Sequence, residues 1–526
     1  MIARLIGPLL IFTAVVGGVG EYYKLEFPTV RFPFTLCREI PLLRIEFAWI
    51  TMALLFMVGC WITVKLRSGF RFTPMTQRRI ERFKSIRRGY LSLIIIGLLF
   101  ALASLDHLVV GNEALIVKKG EDWLFPALTR AVEKGKDFGL EGDAGQAPAD
   151  YRKLKEQLED SEDSESVWIL MPLIPFAPTG DTVPAVSTGL DEVDGKVMKG
   201  SKLFSGLGAK LYDTKVPERM HLRFRYRKGF KDGPADGWDR QGNRVYGAKY
   251  VSGQLVDGSE SWNGQSELNS FLGQGSSPVR QVHYPPSPPT SGEGQTHLLG
   301  TNSRGYDVVA YLFGGLQVNF KAALVYIPLV YALGVSIGLL MGFFGGWFDI
   351  IVQRAIEILS NVPFLFVVMI ASTAIPGKMR ESAGLWMILF ILLLFGWMGM
   401  TYLMRTSALK EKQRDYIAAS RVIGASTPRI LFRHLLPNSV AIIITLVPFS
   451  ISSLVLSLTS LDYLGFGLPA KYATWGQLLR DGLDNLAAPW LVTSAFVVLV
   501  GLLILITFIG EAVREAFDPK KFSYYR

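Results

Sequence analysis

Apolar residues along this chain come in long blocks rather than in the short periodic runs of a water-soluble core. Three blocks lie early, at Met1–Gly20, Ile45–Val64 and Leu91–Leu105. Five lie late, at roughly Phe320–Phe344, Ile350–Ser372, Leu385–Met404, Ser439–Leu461 and Trp490–Ile509. Their apolar length predicts eight membrane-spanning helices. The first block carries Arg4 near its start and has some look of a signal peptide. It lacks a clear small-x-small cleavage site, so an uncleaved helix is the expectation.

Between the third and fourth blocks the pattern changes. Asp106 to about Asn319 is long and polar. The acidic run Glu156, Glu159, Asp160, Glu162, Asp163 and Glu165 reads as a solvated surface. Alternation of polar and apolar residues at His221–Tyr226 predicts a strand. Asp232–Asn243 is rich in Gly and Asp and predicts turns. The ligand spacing of a calcium loop fails there, which leaves a hairpin. Ser276–Gly294, with Pro285, Pro286, Pro288 and Pro289, predicts an extended linker. The whole insert reads as a β-rich or irregular domain, and no internal repeat is evident.

Charge orients the chain. Of 526 residues half are hydrophobic, and the formal net charge is +10. Nucleic-acid binding is one source of such an excess, but the distribution argues for topology. Lys65, Arg67, Arg71, Arg78, Arg79, Arg82, Lys84, Arg87 and Arg88 cluster between two apolar blocks, as in a cytoplasmic loop. Eight crossings that start inside also put Asp415–Asn438 and a tail with Lys520, Lys521 and Arg526 in the cytoplasm. The same count puts the insert outside. Cys37 then falls outside and Cys60 within a span, so no disulfide between them is expected. No Cys/His cluster has metal-ligand spacing, the five histidines are scattered, and no cofactor is expected.

The stretch DYIAASRVIGASTPRILFRHLLPN, Asp415–Asn438, predicts two short helices around a glycine. Lys410–Ile423 has helical composition, and Gly424 suits a left-handed helix end. Thr427 offers an N-cap hydroxyl and Pro428 a first helical residue. Leu431, Phe432, Leu435 and Leu436 then fall on one face, with Arg429, Arg433 and His434 off it. Ala418, Ala419 and Ser420 are small in succession, so another surface can approach closely. A DNA-binding helix-turn-helix would also suit two short helices around such a turn. Apolar spans on both sides decide against a DNA reader so tightly tethered.

The stretch resembles the cytoplasmic coupling loop of ABC importer permeases. That family's signature is Glu-Ala-Ala, three residues, Gly, nine residues, then Ile-x-Leu-Pro. Ala419, Gly424, Leu436 and Pro437 fall on it, while Ala418, Ser420 and His434 depart from it. The likeness extends further. In HLLGTNSRGYDVVAYLFGG, His297–Gly315, Gly300, Thr301, Gly305, Asp307 and Val308 match the family's segment leading into its second core span. There Asn302 and Tyr306 replace the usual Asp and Arg. SLDYLGFGLP at Ser460–Pro469, followed by Trp475-Gly476, resembles the segment between the last two spans. RRGY at Arg87–Tyr90 and IGEAVREAFDPK at Ile509–Lys520 are similar to the C-subunits of peptide importers, most of all the Yej-type oligopeptide/microcin C permeases. The likeness runs in order over about Arg87–Lys520, with the insert poorly matched.

The resemblance implies an α-helical polytopic protein of the bacterial inner membrane. It would have a six-span ABC importer permease core, two extra N-terminal spans and a large extracytoplasmic insert. The expected divisions are 1–66 for the extra spans, 67–90 for the basic loop and 91–105 for the first core span. The insert would take 106–319 and the remaining five spans 320–526, with a coupling loop at 410–438. The implied partners are a second permease subunit, two ABC ATPase subunits, an extracytoplasmic solute-binding protein, a peptide substrate and membrane lipid, without nucleic acid. Asp415, Tyr416, Ala419, Ser420, Gly424, Leu436 and Pro437 would form the ATPase-coupling loop in alternating access.

Catalytic chemistry is not legible. Gly195-Lys196 only superficially resembles a Walker A loop, because five residues separate it from Gly189 and Val197 stands where Ser or Thr would hold magnesium. No Ser–His–Asp or Cys–His arrangement emerges. ATP hydrolysis is expected in separate subunits. Arg354 and Glu357, three apart, share a helix face near a cytoplasmic end and form either a pathway pair or a structural one. Pro363 can kink that span. Gly342, Gly345 and Gly346 allow a tight turn between spans four and five, with packing as the default explanation, and Met398, Met400 and Met404 suit packing. Two other classes fit part of the pattern. One is an ABC permease for nickel or another small solute. The other is a membrane sensor with the insert as input, although every cytoplasmic piece is short.

Overall fold

A computed structural model describes residues 74–517 apart from 106–107, 129–132, 139–145, 147, 153, 156–166, 184, 213–219, 265–266, 275–277 and 291–295. Residues 56–64 and scattered positions within 8–19 are also described. Most of the expected first span, together with Cys37, the acidic run and the basic tail, lies outside the described residues. Of the second expected span, residues 56–64 are described and helical. The chain divides into two compact units. One comprises Met1–Pro175, Leu312–Arg480 and Ala495–Arg526, the other Phe176–Tyr311 and Asp481–Ser494.

The first unit opens with α1 (Pro74–Ser85) and α2 (Arg87–Ser104). Part of the expected basic loop is thus a helix. Its Arg79 guanidinium lies 4.8 Å from the centre of the Phe517 ring. Gly89 of RRGY lies so close to the chain's last helix that a Cβ would stand 3.0 Å from the Phe508 carbonyl. Beside it Arg88 pairs with Glu511 at 3.3 Å. Two of the sequence segments singled out above therefore pack on each other. A small antiparallel sheet follows, of β1 (Ile116–Lys119), β2 (Asp122–Leu124) and β3 (Val167–Leu170) in the order β2-β1-β3. Ala114, Val117, Tyr151, Leu154 and Ile169 form its core.

The second unit is built on an antiparallel sheet of eight strands. They are β4 (Val186–Gly189), β8 (Gly206–Leu211), β9 (Met220–Arg227), β10 (Phe230–Trp238), β11 (Arg244–Val251), β12 (Gln254–Leu255), β13 (Ser261–Trp262) and β14 (Arg280–His283). Their order is β12-β11-β10-β9-β8-β14-β4, with β13 on β11. A second sheet holds β5 (Asp191–Val193), β6 (Lys196–Lys199) and β7 (Lys202–Leu203), and α3 (Leu268–Gly273) packs on the core.

The alternation seen at His221–Tyr226 is real. Leu222, Phe224 and Tyr226 are buried, while Arg225 and Arg227 are exposed. Gly195 sits in the turn between β5 and β6 with φ +72°, a hairpin position. Two expectations need correction. Asp232–Trp238 is strand, and the turn is confined to Asp239–Asn243. Gly233 (φ +121°) and Pro234 mark an irregularity in register between Lys231 and Ala235, so turn-like residues sit at a bulge inside a strand. Likewise Arg280–His283, in the expected linker, pairs with β4 and β8.

The long helices follow, with most of their length in the first unit. These are α4 (Val308–Phe344), α5 (Gly346–Ser360), α6 (Phe364–Ala374) and α7 (Gly377–Lys412). Then come α8 (Asp415–Val422), α9 (Thr427–Ile430), a π-turn at Leu431–Leu435, α10 (Leu436–Tyr463), α11 (Trp475–Asp484) and α12 (Pro489–Phe517). Among the described residues five helices are long and apolar enough to cross a membrane, or six if the bent pair α5 and α6 is one span. That pair bends by 77° at a break that includes Pro363. The chain is a helical polytopic membrane protein with substantial β-sheet ahead of its later long helices.

The helix bounds revise one expected edge. α4 starts at Val308, well before Phe320, so Val308–Asn319 is helix rather than insert. Asp307 starts it, since its Oδ1 accepts the Ala310 N–H at 2.9 Å. Within α4, Gly334, Gly338 and Gly342 form a stripe at four-residue spacing. Cβ atoms there would lie 2.7 Å from Met400 Cβ, 2.7 Å from Met404 Cβ and 2.6 Å from Ala408 Cβ of α7. Small residues thus let α4 and α7 pack backbone against backbone. Gly342 serves this contact rather than the turn. Gly345 (φ +65°) and Gly346 (φ +57°) make the turn. Met398, Met400 and Met404 are buried in the packing.

Candidate functional site

The segment between α7 and α10 is folded as a compact clamp. The helix expected at Lys410–Ile423 is two helices. α7 ends at Lys412, Arg414 is extended (φ −80°, ψ 146°), and α8 starts at Asp415. Asp415 lies in the first turn of α8, where a carboxylate suits the positive end of the helix dipole. At the other end Gly424 has φ +80°. Its N–H donates to the Arg421 carbonyl at 2.9 Å, and the Ala425 N–H donates to the Ser420 carbonyl at 3.0 Å. These two bonds are the Schellman cap that a left-handed glycine permits.

Past the cap, sequence reading was partly wrong. Ser426 is the extended N-cap residue, without a side-chain capping bond, and Thr427 is the first helical residue. Pro428 lies in that first turn, where no N–H is needed. Ile430, Leu431 and Leu435 are buried with Ile417 in one cluster. Phe432 was expected on this face, yet it is 64% exposed. The wider π-turn at Leu431–Leu435 swings it outward. Leu436 packs against the cluster, and Pro437 occupies the first turn of α10.

On α8, Ala418 and Ala419 are exposed. Ser420 is half-buried and donates to the Tyr416 carbonyl at 2.7 Å. Val422 and Ile423 are 88% and 85% exposed. The small run and three bare apolar side chains thus lie on a helix pair whose opposite side is anchored in the core.

Tyr416 joins the arms of the clamp. Its hydroxyl is 2.6 Å from Glu411 Oε2 on α7, and Asn438 Nδ2 on α10 donates to it at 2.7 Å. Burial, then the bond to Glu411, push its phenol above the ordinary value. It remains the protonated donor. Glu411 also holds Arg414 at 3.2 Å. Neither Glu411 nor Asn438 was legible as a site residue, because their spacing from Tyr416 matches no single helical period.

Arg354 and Glu357 do pair, at 2.5 Å, but the Arg354 side chain is largely exposed. A deeper pair escaped sequence reading. Arg405 on α7 holds Asp349 on α5 through two bonds, at 2.5 and 2.6 Å. Their positions in sequence are far apart, so no local spacing announces them.

The other two segments singled out from the sequence are ordered by buried polar groups. In the second unit His297 and Asp307 pair at 2.8 Å, both buried. Asn302, in place of the usual Asp, accepts the Arg304 and Tyr306 N–H groups at 3.0 Å each, so it still closes the turn. In the first unit buried Asp462 accepts the Leu468 N–H at 2.6 Å. Arg380 donates to the Gly467 carbonyl at 3.0 Å, and the Trp475 indole donates to the Leu312 carbonyl at 2.9 Å. These contacts fold SLDYLGFGLP back on the helices. Among the described residues no group of His, Cys, Asp or Glu could hold a metal ion.

Comparison with known proteins gives a consistent picture. The family model described as binding-protein-dependent transport system inner membrane component matches residues 334–523. The chain is 30% identical over 453 residues to the inner membrane ABC transporter permease protein YejE of Escherichia coli (strain K12), covering 86% of this chain and 99% of that protein. It is 38% identical over 228 residues to the peptidoglycan transport system permease protein YejE of Agrobacterium fabrum, covering 43% of this chain and 58% of that one. The oligopeptide transport system permease protein OppC of Bacillus subtilis is 30% identical over 227 residues, covering 43% of this chain and 72% of that one. Among solved structures, an inward-facing form of the MetNI methionine ABC transporter aligns with 40% of this chain and 96% of its own, at 19% identity and a TM-score of 0.34. This chain therefore belongs to the inner-membrane permeases of binding-protein-dependent ABC transport systems, in the YejE/OppC group, and is not itself an ATPase.

Proposed function

We propose that the chain is one permease half of a peptide-importing ABC transporter. A system of this family works with ATPase and binding-protein partners. The specific set here is a second permease, two cytoplasmic ATPases and an extracytoplasmic binding protein that delivers peptide. The names of the YejE and OppC relatives support peptide cargo, of oligopeptide or cell-wall type. The basic residues of α1 and the N-terminal end of α2 support a cytoplasmic position for that end of the core. On this reading the clamp of Asp415–Asn438 lies inside and the β-rich insert outside.

The observation that carries this reading is the surface of the clamp. Ala418, Ala419, Val422, Ile423 and Phe432 offer a small-residue run beside bare apolar side chains. ATPase closure would push on this surface, and the core-anchored side would carry the push into α7 and α10. Asp415 and Gly424 fix the two ends of α8. Ala419 and Ser420 permit close approach. Leu436 and Pro437 fix the start of α10. Arg354 and Glu357 serve as a structural surface pair.

Ala419→Glu tests the assignment. An exposed helix position tolerates Glu at a cost of a few tenths of a kcal/mol, roughly. A contact surface would have to desolvate an unpaired carboxylate. ATPase pulled down per permease recovered should fall in the variant, with insertion unchanged. Wild-type ATPase retention and transport would leave the loop without a docking role. Mass spectrometry of ligand retained by the purified complex then tests the cargo: peptides are expected, and a retained metal ion or other small solute would refute it.

A further inference from the structure

We propose that Tyr416 is a positioning residue that makes the clamp move as one piece. This inference rests on the reading of Asp415–Asn438 as the coupling loop. Apart from side-chain contacts, α8 is joined to the spans only through its two backbone junctions. The backbone on its N-terminal side passes through an extended residue, Arg414, and on its C-terminal side through the left-handed Gly424. Regular helix is interrupted at both junctions, over Gln413–Arg414 on one side and Ile423–Ser426 on the other. Through the backbone alone, a push on α8 would pivot it about these two points.

Side chains bridge both breaks. Ile417 is buried in the cluster with Ile430, Leu431 and Leu435, an apolar contact that resists separation but has no preferred direction. The polar bridge is directional. The Tyr416 hydroxyl donates to Glu411 at the end of α7 and accepts from Asn438 at the start of α10. One oxygen atom therefore ties the two spans to each other and to α8. The bond to Glu411 is charge-assisted, and Arg414 Nε holds the same carboxylate oxygen, Oε2, at 3.2 Å. The ring is partly buried against the cluster and lies 6.4 Å from the His434 ring, centre to centre. A hydroxyl on a rigid ring is suited to such a strut, since the side chain has only two torsions to give way.

Tyr416→Phe keeps the ring and removes the oxygen. In the assembled complex, the variant should retain its ATPases, because the hydroxyl is on the core side of α8. The ratio of substrate-stimulated to unstimulated ATP hydrolysis should fall roughly five- to tenfold, at the low end of coupling between sites. A spin-label distance between Lys410→Cys and Arg421→Cys, with Cys37 and Cys60 replaced by serine, should broaden. Glu411→Gln, which keeps an acceptor for the hydroxyl, should restore most of the ratio relative to Glu411→Ala. If Tyr416→Phe fails to insert, Asn438→Ala cuts the other arm and must show the same uncoupling.

Wild-type stimulation in these variants would overturn the strut. So would loss of ATPase retention in Tyr416→Phe, which would make the residue a docking contact instead. Ala419→Glu in the same assay reports on the docking reading by itself. Normal coupling in Tyr416→Phe alongside lost ATPase in Ala419→Glu would remove the strut and leave the coupling loop standing.

Discussion

Arg405 grips Asp349 with both arms of its guanidinium, Nε to Oδ1 at 2.5 Å and Nη2 to Oδ2 at 2.6 Å. The pair joins α7, which leads into the clamp, to α5, which begins the bent helix pair. Both side chains are mostly buried. Desolvation makes such a pair a modest net stabiliser, but removing one partner strands the other charge. Asp349→Ala should lower the unfolding free energy in detergent by about 1 to 3 kcal/mol, less than a fully buried pair because some water reaches it. The double variant Asp349→Asn with Arg405→Gln should lose less than the sum of the single losses. Additive losses would mean that the two side chains do not depend on each other.

Gly424 tests the backbone of the clamp. A Cβ there would meet nothing within 4 Å, so any cost of substitution is conformational. At φ +80° a β-branched residue is strained by about 1 to 2 kcal/mol or more. Gly424→Val should insert normally and lower substrate-stimulated ATP hydrolysis of the complex. Gly424→Asn, which tolerates the left-handed region, should lose much less. Equal activity of both variants and wild type would show that the cap geometry is not needed for coupling.

Topology is tested by labelling. With Cys37 and Cys60 replaced by serine, an impermeant thiol reagent is applied to the outer face of the inner membrane. Ser201→Cys, in the turn between β6 and β7, should react. Ser85→Cys, at the end of the basic α1, should not. The reverse pattern inverts the orientation and takes the clamp out of reach of cytoplasmic ATPases.

His221 gives the insert a pH dependence. Its ring is fully buried on β9, between the rings of Tyr212 and Phe271 at 4.7 and 4.5 Å. Burial lowers its pKa to about 4, with Lys210 adding to the effect. The unfolded chain, with an ordinary pKa of about 6.5, binds the proton more readily in between. Stability of this domain should therefore fall as pH drops from about 6.5 towards 4, by at most about 3 kcal/mol. Limited proteolysis of β9–β11 in the full chain across this window measures it. His221→Phe should flatten the profile, and an unchanged profile would assign the effect to another group.

Much of this protein is legible in its sequence. Membrane spans announce themselves, because each must satisfy its own backbone in lipid and so shows as an apolar block of fixed length. The helix end at Gly424 was readable for a similar reason: the left-handed conformation is local, and glycine enters it without steric cost. The strand at His221–Tyr226 followed from alternation alone. The errors were also local in appearance and tertiary in cause. Asp232, Gly233 and Pro234 read as a turn, yet β11 pairs with Gly233 and Pro234 while the register with β9 skips from Lys231 to Ala235, so they form a bulge inside β10. Phe432 read as core, until a π-turn rotated it outward.

The sequence by itself determined the apolar helices from Leu91 onward, the capped helix pair and, through its motifs, the family. Tertiary structure alone decided what joins them. Arg405 meets Asp349, Glu411 and Asn438 meet at Tyr416, and Gly334, Gly338 and Gly342 meet α7. Apolar length and turn chemistry are properties of neighbours along the chain. A hydrogen bond between residues on different helices depends on how those helices pack, which no periodicity encodes.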